Sequence, residues 1–502
     1  MTETRALLAA SLSVIGAIGL WGVIDPAGIV AVATVIVDRF FQSRGWFVML
    51  TVTGMLALCL ALAASRYGAI RLGADDDRPE FSTPSWIAML FAAGMGVGLL
   101  FWAVAEPLTH YGFISAELPR PEAARLAIFL TNFHWGIHAW AIYGSIALTI
   151  AYFSFRRDTP MLVSGPILCM FGAERWARIV AWLGDFMSVV AIAIGVAGSI
   201  AMGVFQVADG IDVLFGGTGA SRMLVFAVLI VMVAAYMPAL MVDLGTGMSR
   251  LSNLAMLIAI ALVVFTIVLG PTQYLMNAII DGFGEYVAGA LRHGFRTFTF
   301  FEDEVGRWFS DWTLTYMVWW IAWGPFVGVF VARISRGRTI REFVLGVLVG
   351  PTLFSIIWFG AFGGIGLFEA FEADGALLEM TTTNVDRVTF ALLDRLPFTT
   401  LTTLATVVAA FLFIVTSVVS AAFVLATFST GGDPDPKPAI RALWGGLLAV
   451  LGVAMILSGS IDAVKKLIAL GALPFVLIAV LLLVCLIRAL GQESTEMHHA
   501  AG

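Results

Sequence analysis

The chain has 502 residues, of which 60% are hydrophobic and only 12% are charged, and its formal net charge is −6 at neutral pH. Soluble domains carry about 25% charged residues and rarely hold repeated apolar runs of about 20 residues, so this composition excludes an ordinary soluble protein. It predicts an all-α polytopic membrane protein that lies in the lipid bilayer and has no nucleic-acid partner. The three cysteines lack the spacing of a disulfide framework or a zinc site.

Twelve apolar segments are long enough to cross the hydrocarbon core, and they predict twelve transmembrane helices. The predicted spans are 6–24, 46–65, 84–112, 123–155, 179–207, 222–242, 251–279, 309–333, 342–368, 396–428, 440–459 and 467–488. An even number of spans places both termini on one side. The arginine-rich stretch "ARISRGRTIRE" at 332–342 follows the eighth span, and by the positive-inside rule it predicts that both termini are cytoplasmic.

Two connections between the spans have compositions that predict a specific local structure. Segment 281–304 mixes aromatic with charged residues and predicts an amphipathic helix on the outer surface. The stretch "STGGDPDPKP" at 429–438 predicts a turn-rich inner loop. Both tails are expected to be short, without a soluble regulatory domain.

The third and eighth spans are both rich in aromatic residues and interrupted by glycine. They read "FAAGMGVGLLFW" at 91–102 and "WWIAWGPFVGVF" at 319–330, and each opens a block of five spans. Because five is odd, the second block would be inverted in the membrane relative to the first. Paired glycine-interrupted segments in matching halves point to the binding site of a transporter.

The stretch "GMGVG" places Gly94, Gly96 and Gly98 at every second position, and each glycine destabilises a helix by about 1 kcal/mol. This spacing predicts an interrupted helix. Unwound backbone at membrane depth is tolerated where it is buried in protein or lines a cavity, and its free carbonyls can coordinate a cation. Close packing of helices through small residues explains the pattern equally well.

The stretch "FHWGIHAWAIY" at 133–143 belongs to the fourth predicted span. If it is one continuous helix, its two tryptophans and its tyrosine share one sector, while His134 and His138 occupy another. The two histidines have the spacing of a metal pair, but no carboxylate or third ligand lies nearby in the sequence. Two buried or interfacial histidines are therefore the preferred interpretation.

The eighth span, "DWTLTYMVWWIAWGPFVGVF" at 311–330, carries aromatic side chains along more than three helical turns. They fall within a sector of about 120° if the helix turns by about 100° per residue. An interfacial belt would gather them at one depth, so the pattern indicates either packing between helices or a cavity wall that binds a cation through its aromatic faces. The Gly324-Pro325 step predicts a helix break just past this wall.

Polar groups within the spans are few. Span 10 contains the hydroxyls of Thr416 and Ser417 in "FIVTSVVS", which either bond back to the preceding turn or ligate a small hard cation. Glu106 and Asp185 are the clearest ionisable residues inside spans, and a structural role and a functional role are both open for each.

Together these stretches resemble the betaine/choline/carnitine transporter (BCCT) family. Residues 311–320 match the tryptophan signature of the family except at Met317, where the family has tryptophan, and the similarity extends over essentially the whole chain. The resemblance implies an amino-acid/sodium-symporter-like (LeuT-like) core of two inverted five-helix repeats, spans 3–7 and 8–12, behind two extra helices. The implied units are 1–83 (two helices and an inner loop), 84–283 (first repeat), 284–308 (outer-surface segment), 309–490 (second repeat) and 491–502 (short tail).

The resemblance also implies residue roles by motif position. An aromatic box for a trimethylammonium head is assigned to Trp135, Trp140, Tyr143 and Trp320. Further residues of the substrate pathway are Trp319, Trp323, Phe101, Phe330, Met95 and Gly98. Sodium as the coupling ion is assigned to the backbones of Ala92, Met95 and Phe413 and the hydroxyls of Thr416 and Ser417. No organic cofactor is expected.

Two departures from the family pattern refine this expectation. Choline-type members carry aspartate where this chain has Gly98, so a zwitterion is favoured over choline. A second sodium site of the family uses threonines at the positions that correspond to Ile192 and Val196 of this chain, so one sodium site is expected. The family resemblance further implies a homotrimer in the cell membrane.

Three hypotheses follow. The first is a sodium-coupled symporter for glycine betaine or a close analogue. The second is the same fold carrying another zwitterion, such as dimethylsulfoniopropionate, ectoine, carnitine or taurine, or choline, or coupled to protons. The third, an intramembrane enzyme or a channel, is disfavoured because no nucleophile–base pair or metal set is evident.

Overall fold

A computed structural model of the chain describes residues 2–94, 96–172, 174–242, 245–372 and 375–501. Within these ranges the chain folds into α-helices joined by short connections and contains no β-strand. The helices up to residue 293 are α1 (Thr2–Ile24), α2 (Pro26–Ala64), α3 (Thr83–Gly94), α4 (Val97–Ile114), α5 (Arg120–Trp135), α6 (Ile137–Arg156), α7 (Ser164–Phe171), α8 (Arg175–Leu214), α9 (Arg222–Ala239), α10 (Gly245–Leu269) and α11 (Thr272–His293).

The remaining helices complete the bundle. They are α12 (Asp303–Phe309), α13 (Thr315–Arg333), α14 (Ile340–Glu372), α15 (Ala376–Thr383), α16 (Val388–Leu393), α17 (Thr399–Ser429), α18 (Pro438–Leu457) and α19 (Ile461–Ala501). A π-helical turn, Ser310–Leu314, joins α12 to α13. Within the described ranges, 11 helical segments are long and apolar enough to cross a membrane. The chain is thus a multi-pass membrane protein.

The buried core lies where α6, α8, α13 and α17 meet. The membrane-spanning segment Arg120–Arg156, which joins α5 and α6, is 94% buried in its most apolar window, and so is Arg175–Leu214. The segments Thr4–Ile24 and Arg222–Ala239 are only 28% buried and form the periphery. A helix that is buried on all sides must satisfy its polar groups inside the protein, so functional side chains are expected on the central helices.

Two predicted boundaries differ from the structure. The second predicted span, 46–65, is only the end of α2, which runs for 39 residues from Pro26. Asp25 caps this helix by accepting a hydrogen bond from the Gly28 amide at 2.9 Å, and polar residues in its first half hid it from an apolar window. The seventh predicted span, 251–279, ends early because the Gly270-Pro271 step separates α10 from α11.

The predicted amphipathic segment corresponds largely to α11. Residues of one face are buried, among them Leu275, Ile279 and Tyr286, while Ile280 and Val287 of the opposite face are exposed. The helix starts at Thr272, earlier than predicted, and the stretch after His293 is a connection rather than a helix.

The interruption predicted at "GMGVG" is confirmed. Helix α3 ends at Gly94, and Gly96 precedes α4 in an extended conformation with φ −113° and ψ −159°. The glycines also allow close approach. An added Cβ at Gly94 would overlap the indole of Trp140, and one at Gly98 would lie 3.0 Å from Cη2 of Trp135. The interrupted backbone and close packing, treated above as alternatives, therefore occur together.

A second interruption, which was not predicted, lies at Gly136. Helix α5 ends at Trp135, Gly136 has φ −100° and ψ −138°, and α6 begins at Ile137. The hydroxyl of Tyr286 on α11 accepts a hydrogen bond from the freed Ile137 amide at 2.7 Å. The stretch "FHWGIHAWAIY" is therefore two helices, so the angular sectors derived from one continuous helix do not hold.

The predicted break at Gly324-Pro325 is wrong, because α13 is continuous from Thr315 to Arg333. Proline removes a single backbone donor, which a transmembrane helix tolerates. The glycine serves packing instead, since an added Cβ at Gly324 would lie 2.5 Å from Cδ1 of Ile146 on α6. The irregular backbone of this segment is the π-helical turn before α13.

Candidate functional site

A narrow cavity lies at the centre of the bundle, between the α3–α4 interruption and helices α5, α6, α8, α13 and α17. Its walls are mostly apolar and aromatic, as is typical of small-molecule sites. The lining residues are Gly94, Gly96, Val97, Gly98, Trp102, Trp135, Tyr143, Ser199, Met202, Tyr316, Trp319, Trp320, Trp323, Ile414 and Ser417.

Three rings from the two halves of the chain meet at this cavity. The ring of Trp320 lies 5.1 Å from that of Trp135 at an interplanar angle of 78°, and 5.7 Å from that of Tyr143 at 89°. These are edge-to-face arrangements, so the rings present faces in different directions. Trp140 stands behind this group, with its ring 5.6 Å from Tyr143 and against Gly94.

Not every residue assigned from the sequence reaches the cavity. Those that line it are Trp135, Tyr143, Trp319, Trp320, Trp323, Gly98 and Ser417. Those that do not line it are Trp140, Phe101, Phe330, Phe413 and Thr416. Ala92 lies in α3, and its side chain is outside the described part of the structure, as is all of Met95.

Sequence reasoning missed several lining residues. Trp102 lies one turn beyond Gly98, and Tyr316 belongs to the aromatic stripe of α13, so both carried a readable signal. Met202 and Ile414 are single apolar residues in apolar helices, and nothing in the sequence marks them as lining residues.

The interruption at Gly136 fixes the position of Trp320. A helix end leaves carbonyls without intrahelical partners. Here the carbonyl of His134 accepts a hydrogen bond from the Trp320 indole at 2.7 Å, and the carbonyl of Trp135 accepts one from the Ser355 hydroxyl at 3.1 Å. The break in α5–α6 thus ties α13 and α14 to the cavity wall.

Glu106 of α4 is the centre of a buried polar network beside the cavity. Its Oε1 faces His134 Nδ1 at 2.7 Å and His110 Nε2 at 3.3 Å. Its Oε2 accepts hydrogen bonds from the Trp135 indole at 2.8 Å and the Tyr316 hydroxyl at 2.6 Å. Four donors around one carboxyl group leave no acceptor for a carboxyl proton, so the geometry indicates an ionised carboxylate.

The hydrogen-bond partners also assign the histidine tautomers. The Trp308 indole can only donate, so His110 accepts through Nδ1 at 3.3 Å and donates to Glu106 through Nε2. His134 donates to Glu106 through Nδ1 and faces the Thr313 hydroxyl through Nε2 at 2.9 Å. His110 is therefore a neutral ring that donates to Glu106, and His134 lies between the carboxylate and a hydroxyl.

This network corrects the interpretation that no carboxylate lies near the histidines. Glu106 is distant in sequence, and the packing of α4 against α5 brings it to His134. His138 is not part of the network, and within the described residues neither of its nitrogens has a hydrogen-bond partner. The preferred interpretation of His134 and His138 as buried histidines is confirmed, since both are fully buried.

The same cluster has the spacing of a metal site. The ligand atoms of Glu106, His110 and His134 lie within 4.8 Å of one another. However, the carboxylate oxygens also bind the donors of Trp135 and Tyr316, which orient two walls of the cavity. The arrangement therefore acts as a hydrogen-bond centre that positions aromatic rings.

Asp185, the other ionisable residue singled out in a span, has a local role. Its Oδ1 accepts a hydrogen bond from the Ser164 amide at 2.9 Å, at the first residue of α7. A carboxylate at a helix start satisfies a backbone donor that the helix leaves free.

The hydroxyls of α17 lie at the opposite wall. Thr416 Oγ1 donates to the carbonyls of Leu412 at 2.9 Å and Phe413 at 3.2 Å, which is the back-bonding alternative. Ser417 faces the α3–α4 interruption, because an added Cβ at Gly96 would lie 4.0 Å from its Oγ. The hydroxyl of Ser417 and the backbone of Gly96 therefore lie close together.

A membrane-embedded helical bundle around a central aromatic cavity defines the class of multi-pass small-molecule transporters. A family profile described as "BCCT, betaine/carnitine/choline family transporter" matches residues 6–495. The chain belongs to this family, and the predicted resemblance is confirmed.

The chain is also similar to individual transporters of this family. It is 37% identical to the glycine betaine transporter OpuD of Bacillus subtilis (strain 168) over 491 residues, which cover 97% of this chain and 95% of that protein. It is 37% identical to a glycine betaine transporter of Acinetobacter baylyi, covering 91% of this chain and 68% of that protein. It is 33% identical to an ectoine/hydroxyectoine transporter of Virgibacillus pantothenticus, covering 90% of each chain.

Proposed function

We propose that the protein is a sodium-coupled symporter that imports a zwitterionic quaternary-ammonium compatible solute such as glycine betaine. The observation that carries this proposal is the composition of the cavity wall, which combines aromatic faces with buried donors that have no partner. Two relatives named as glycine betaine transporters, each 37% identical to this chain, support the same substrate.

The aromatic faces suit the cationic end of such a solute. A quaternary ammonium group has no N–H to donate, so aromatic faces replace hydrogen bonds in its recognition. The rings of Trp135 and Tyr143 lie 5.1 Å and 5.7 Å from the ring of Trp320, around one part of the cavity. Each desolvated cation–π contact contributes about 2 kcal/mol.

Three unpartnered donors suit the anionic end. The indole nitrogens of Trp102 and Trp323 and the hydroxyl of Tyr143 are buried in the cavity wall, and none has a hydrogen-bond partner among the described residues. A buried donor without an acceptor costs about 1–3 kcal/mol. A carboxylate offers several acceptor positions, so a zwitterion satisfies donors that choline leaves free.

For coupling, we propose one sodium site between the α3–α4 interruption and α17. The residues are the backbones of Ala92, Met95 and Phe413 and the hydroxyls of Thr416 and Ser417. A hydroxyl that donates to a carbonyl keeps its lone pairs for a cation, so the back-bonding of Thr416 is compatible with ligation. The proximity of Ser417 to Gly96 supports this site.

In the proposed architecture α3 and α4 form one interrupted crossing, which gives twelve crossings in all. Two inverted repeats, 84–283 and 309–490, follow two helices within 1–83, and transport proceeds by alternating access around the cavity. The termini face the cytoplasm, the protein lies in the cell membrane, and the outer-surface segment 284–308 contributes to a homotrimer.

A second candidate is the same transporter with another zwitterion. The relative named as an ectoine/hydroxyectoine transporter, 33% identical, favours ectoine as the first alternative. The orphan donors suit its carboxylate equally, and the aromatic faces suit its delocalised cation.

Uptake of labelled glycine betaine into proteoliposomes tests the proposal. We expect uptake with an inward sodium gradient and none when sodium is replaced by N-methylglucamine. Trp320→Ala should lower uptake at subsaturating substrate by at least about tenfold, because one cation–π wall is lost. Trp46→Ala removes an indole that is 57% exposed on α2 and should leave uptake unchanged.

Each part of the proposal has its own contradicting result. Sodium-independent uptake contradicts the coupling, and full uptake by Trp320→Ala contradicts the aromatic box. Uptake of ectoine without uptake of glycine betaine would show that ectoine, and not glycine betaine, is the substrate.

A further inference from the structure

A buried lysine lies directly behind the cavity wall. Lys465, in the second turn of α19, is only 3% exposed. Its Nζ lies 3.9 Å from the ring centroid of Trp312 and 5.4 Å from that of Trp102. Its ion partner is Asp462 at 3.1 Å, a side chain that is 86% exposed. The ammonium group thus contacts two aromatic faces in addition to one carboxylate.

The neighbouring lysine shows that this arrangement is particular to Lys465. Lys466 forms ion pairs with Asp38 at 2.5 Å and Asp311 at 2.9 Å. Burying an ammonium is costly unless opposite charge compensates it, and two carboxylates do so for Lys466. Lys465 instead brings a positive charge, only weakly compensated by an exposed partner, to two tryptophans.

These tryptophans connect the charge to the cavity. Trp102 lines the cavity, and its ring lies 5.3 Å from that of Trp312. Trp312 stacks at 6.1 Å on Tyr316, which also lines the cavity. A single layer of rings therefore separates the ammonium from the space that a solute would occupy. The indole nitrogen of Trp102, one of the orphan donors, belongs to this layer.

We infer that Lys465 is a specificity-determining residue that selects solutes by net charge. Its positive charge repels a cation that has no anionic group and is compensated by the carboxylate of a zwitterion. Coulomb interactions across a protein interior decay slowly, so direct contact is not required. This inference rests on the proposed function, since it presumes that the cavity takes a quaternary-ammonium solute.

Binding of two matched probes to the purified full chain tests the inference. Glycine betaine and choline share the trimethylammonium group, and only glycine betaine carries a carboxylate. Tryptophan fluorescence titration gives both dissociation constants for each variant, and their ratio is compared within one protein. Because both dissociation constants are measured on the same variant, their ratio does not change when part of that variant is unfolded.

In Lys465→Met we expect the choline-to-betaine ratio of dissociation constants to fall by roughly tenfold, the size of a like-charge repulsion at about 10 Å with an effective dielectric constant of about 20. Lys465→Gln provides a second neutral variant if the methionine variant does not fold. Lys465→Arg keeps the charge and should therefore keep the wild-type ratio.

The outcomes separate the two proposals. If the wild-type protein binds glycine betaine and the neutral variants keep the wild-type ratio, the charge filter is overturned and the proposed function stands. If Lys465→Arg lowers the ratio as much as Lys465→Met, the assignment to the charge of Lys465 is overturned. If the wild-type protein binds neither probe, the proposed function fails first, and the filter fails with it.

Discussion

The aromatic cavity wall and the proposed sodium site differ in how their polar atoms are held. Trp135 and Tyr316 donate to one carboxylate, Glu106, and Trp320 donates to the carbonyl of His134. These partners belong to other helices, so each ring is fixed from outside its own helix. Across the cavity, Thr416 bonds, among the described residues, to carbonyls of its own helix.

This difference has a physical reason. A flat ring must be held in one orientation to present its face, and hydrogen bonds from neighbouring helices supply that restraint. A small cation gathers oxygen atoms from wherever they converge, so its site depends on the distance between α17 and the α3–α4 interruption. Substrate affinity should therefore fall when a hydrogen bond that holds a ring is removed. Sodium affinity should fall when a ligand oxygen is removed.

The largest effect on the cavity wall is expected for Glu106→Gln. The amide nitrogen is a donor, so it faces the donors of Trp135 or Tyr316 and leaves one of them unpaired. We expect glycine betaine affinity to fall by about a hundredfold, because unpaired buried donors beside a former charge cost up to about 3 kcal/mol. Fluorescence titration measures this loss.

Asp185→Asn is the matched control for Glu106→Gln. It removes another buried carboxylate, one that bonds to the Ser164 amide away from the cavity. It should lower the melting temperature and leave the affinity unchanged. Wild-type affinity in Glu106→Gln would show that the rings need no outside support.

The next effect is expected for Gly94→Ala. Its methyl group would overlap the Trp140 indole, which packs against Tyr143. Overpacking costs about 1–3 kcal/mol, so we expect affinity to fall by about tenfold or more. Gly54→Ala, where an added Cβ meets nothing within 4 Å, is the control for the methyl group itself. Unchanged affinity would show that Trp140 does not support the box.

Ser417→Ala tests the other side of the comparison. Removing one oxygen should raise the sodium concentration for half-maximal uptake by about tenfold, if one ligand contributes about 1.4 kcal/mol. Affinity for glycine betaine at saturating sodium should stay unchanged. Ser420→Ala removes a hydroxyl one turn further along α17 and should have no effect. Equal effects of the two variants would argue against a sodium site at Ser417.

The smallest effect is expected for Tyr143→Phe. The hydroxyl has no partner in the described part of the chain, so its removal should not lower the melting temperature without substrate. Affinity for glycine betaine should fall by about three- to tenfold if the hydroxyl donates to the carboxylate. Tyr236→Phe gives the opposite pattern, because Tyr236 donates to the Gly445 carbonyl, 3.0 Å away and far from the cavity. If Tyr143→Phe binds glycine betaine as tightly as the wild-type protein, the Tyr143 hydroxyl does not donate to the substrate carboxylate.

Much of the fold and the site could be predicted from sequence, because membrane helices and aromatic stripes leave local patterns. The apolar spans, the interruption at "GMGVG" and the lining roles of Trp135 and Trp320 follow from such patterns and from the family resemblance. Glu106 could not be linked to His134, since that contact arises only from the packing of α4 against α5. Lys465 was equally hidden, because its partners lie on α4 and before α13.

Glycine was the least reliable sequence signal for the interruption of a helix. At Gly94 it interrupts a helix, at Gly136 it does so without a neighbouring glycine pattern, and at Gly324 it only admits Ile146. The same residue type serves three purposes, and the neighbouring helix decides which one applies. Local propensity alone cannot distinguish them.

The hydrogen bond between Tyr286 and the Ile137 amide gives α11 a mechanical role. This helix runs along the outside of the bundle with an exposed apolar face. The hydroxyl of Tyr286 accepts a hydrogen bond from the amide of Ile137, the residue that follows Gly136. Together with the packing of α11 against α5 and α14, this hydrogen bond couples a helix with a surface-exposed apolar face to the backbone joint that carries the cavity wall.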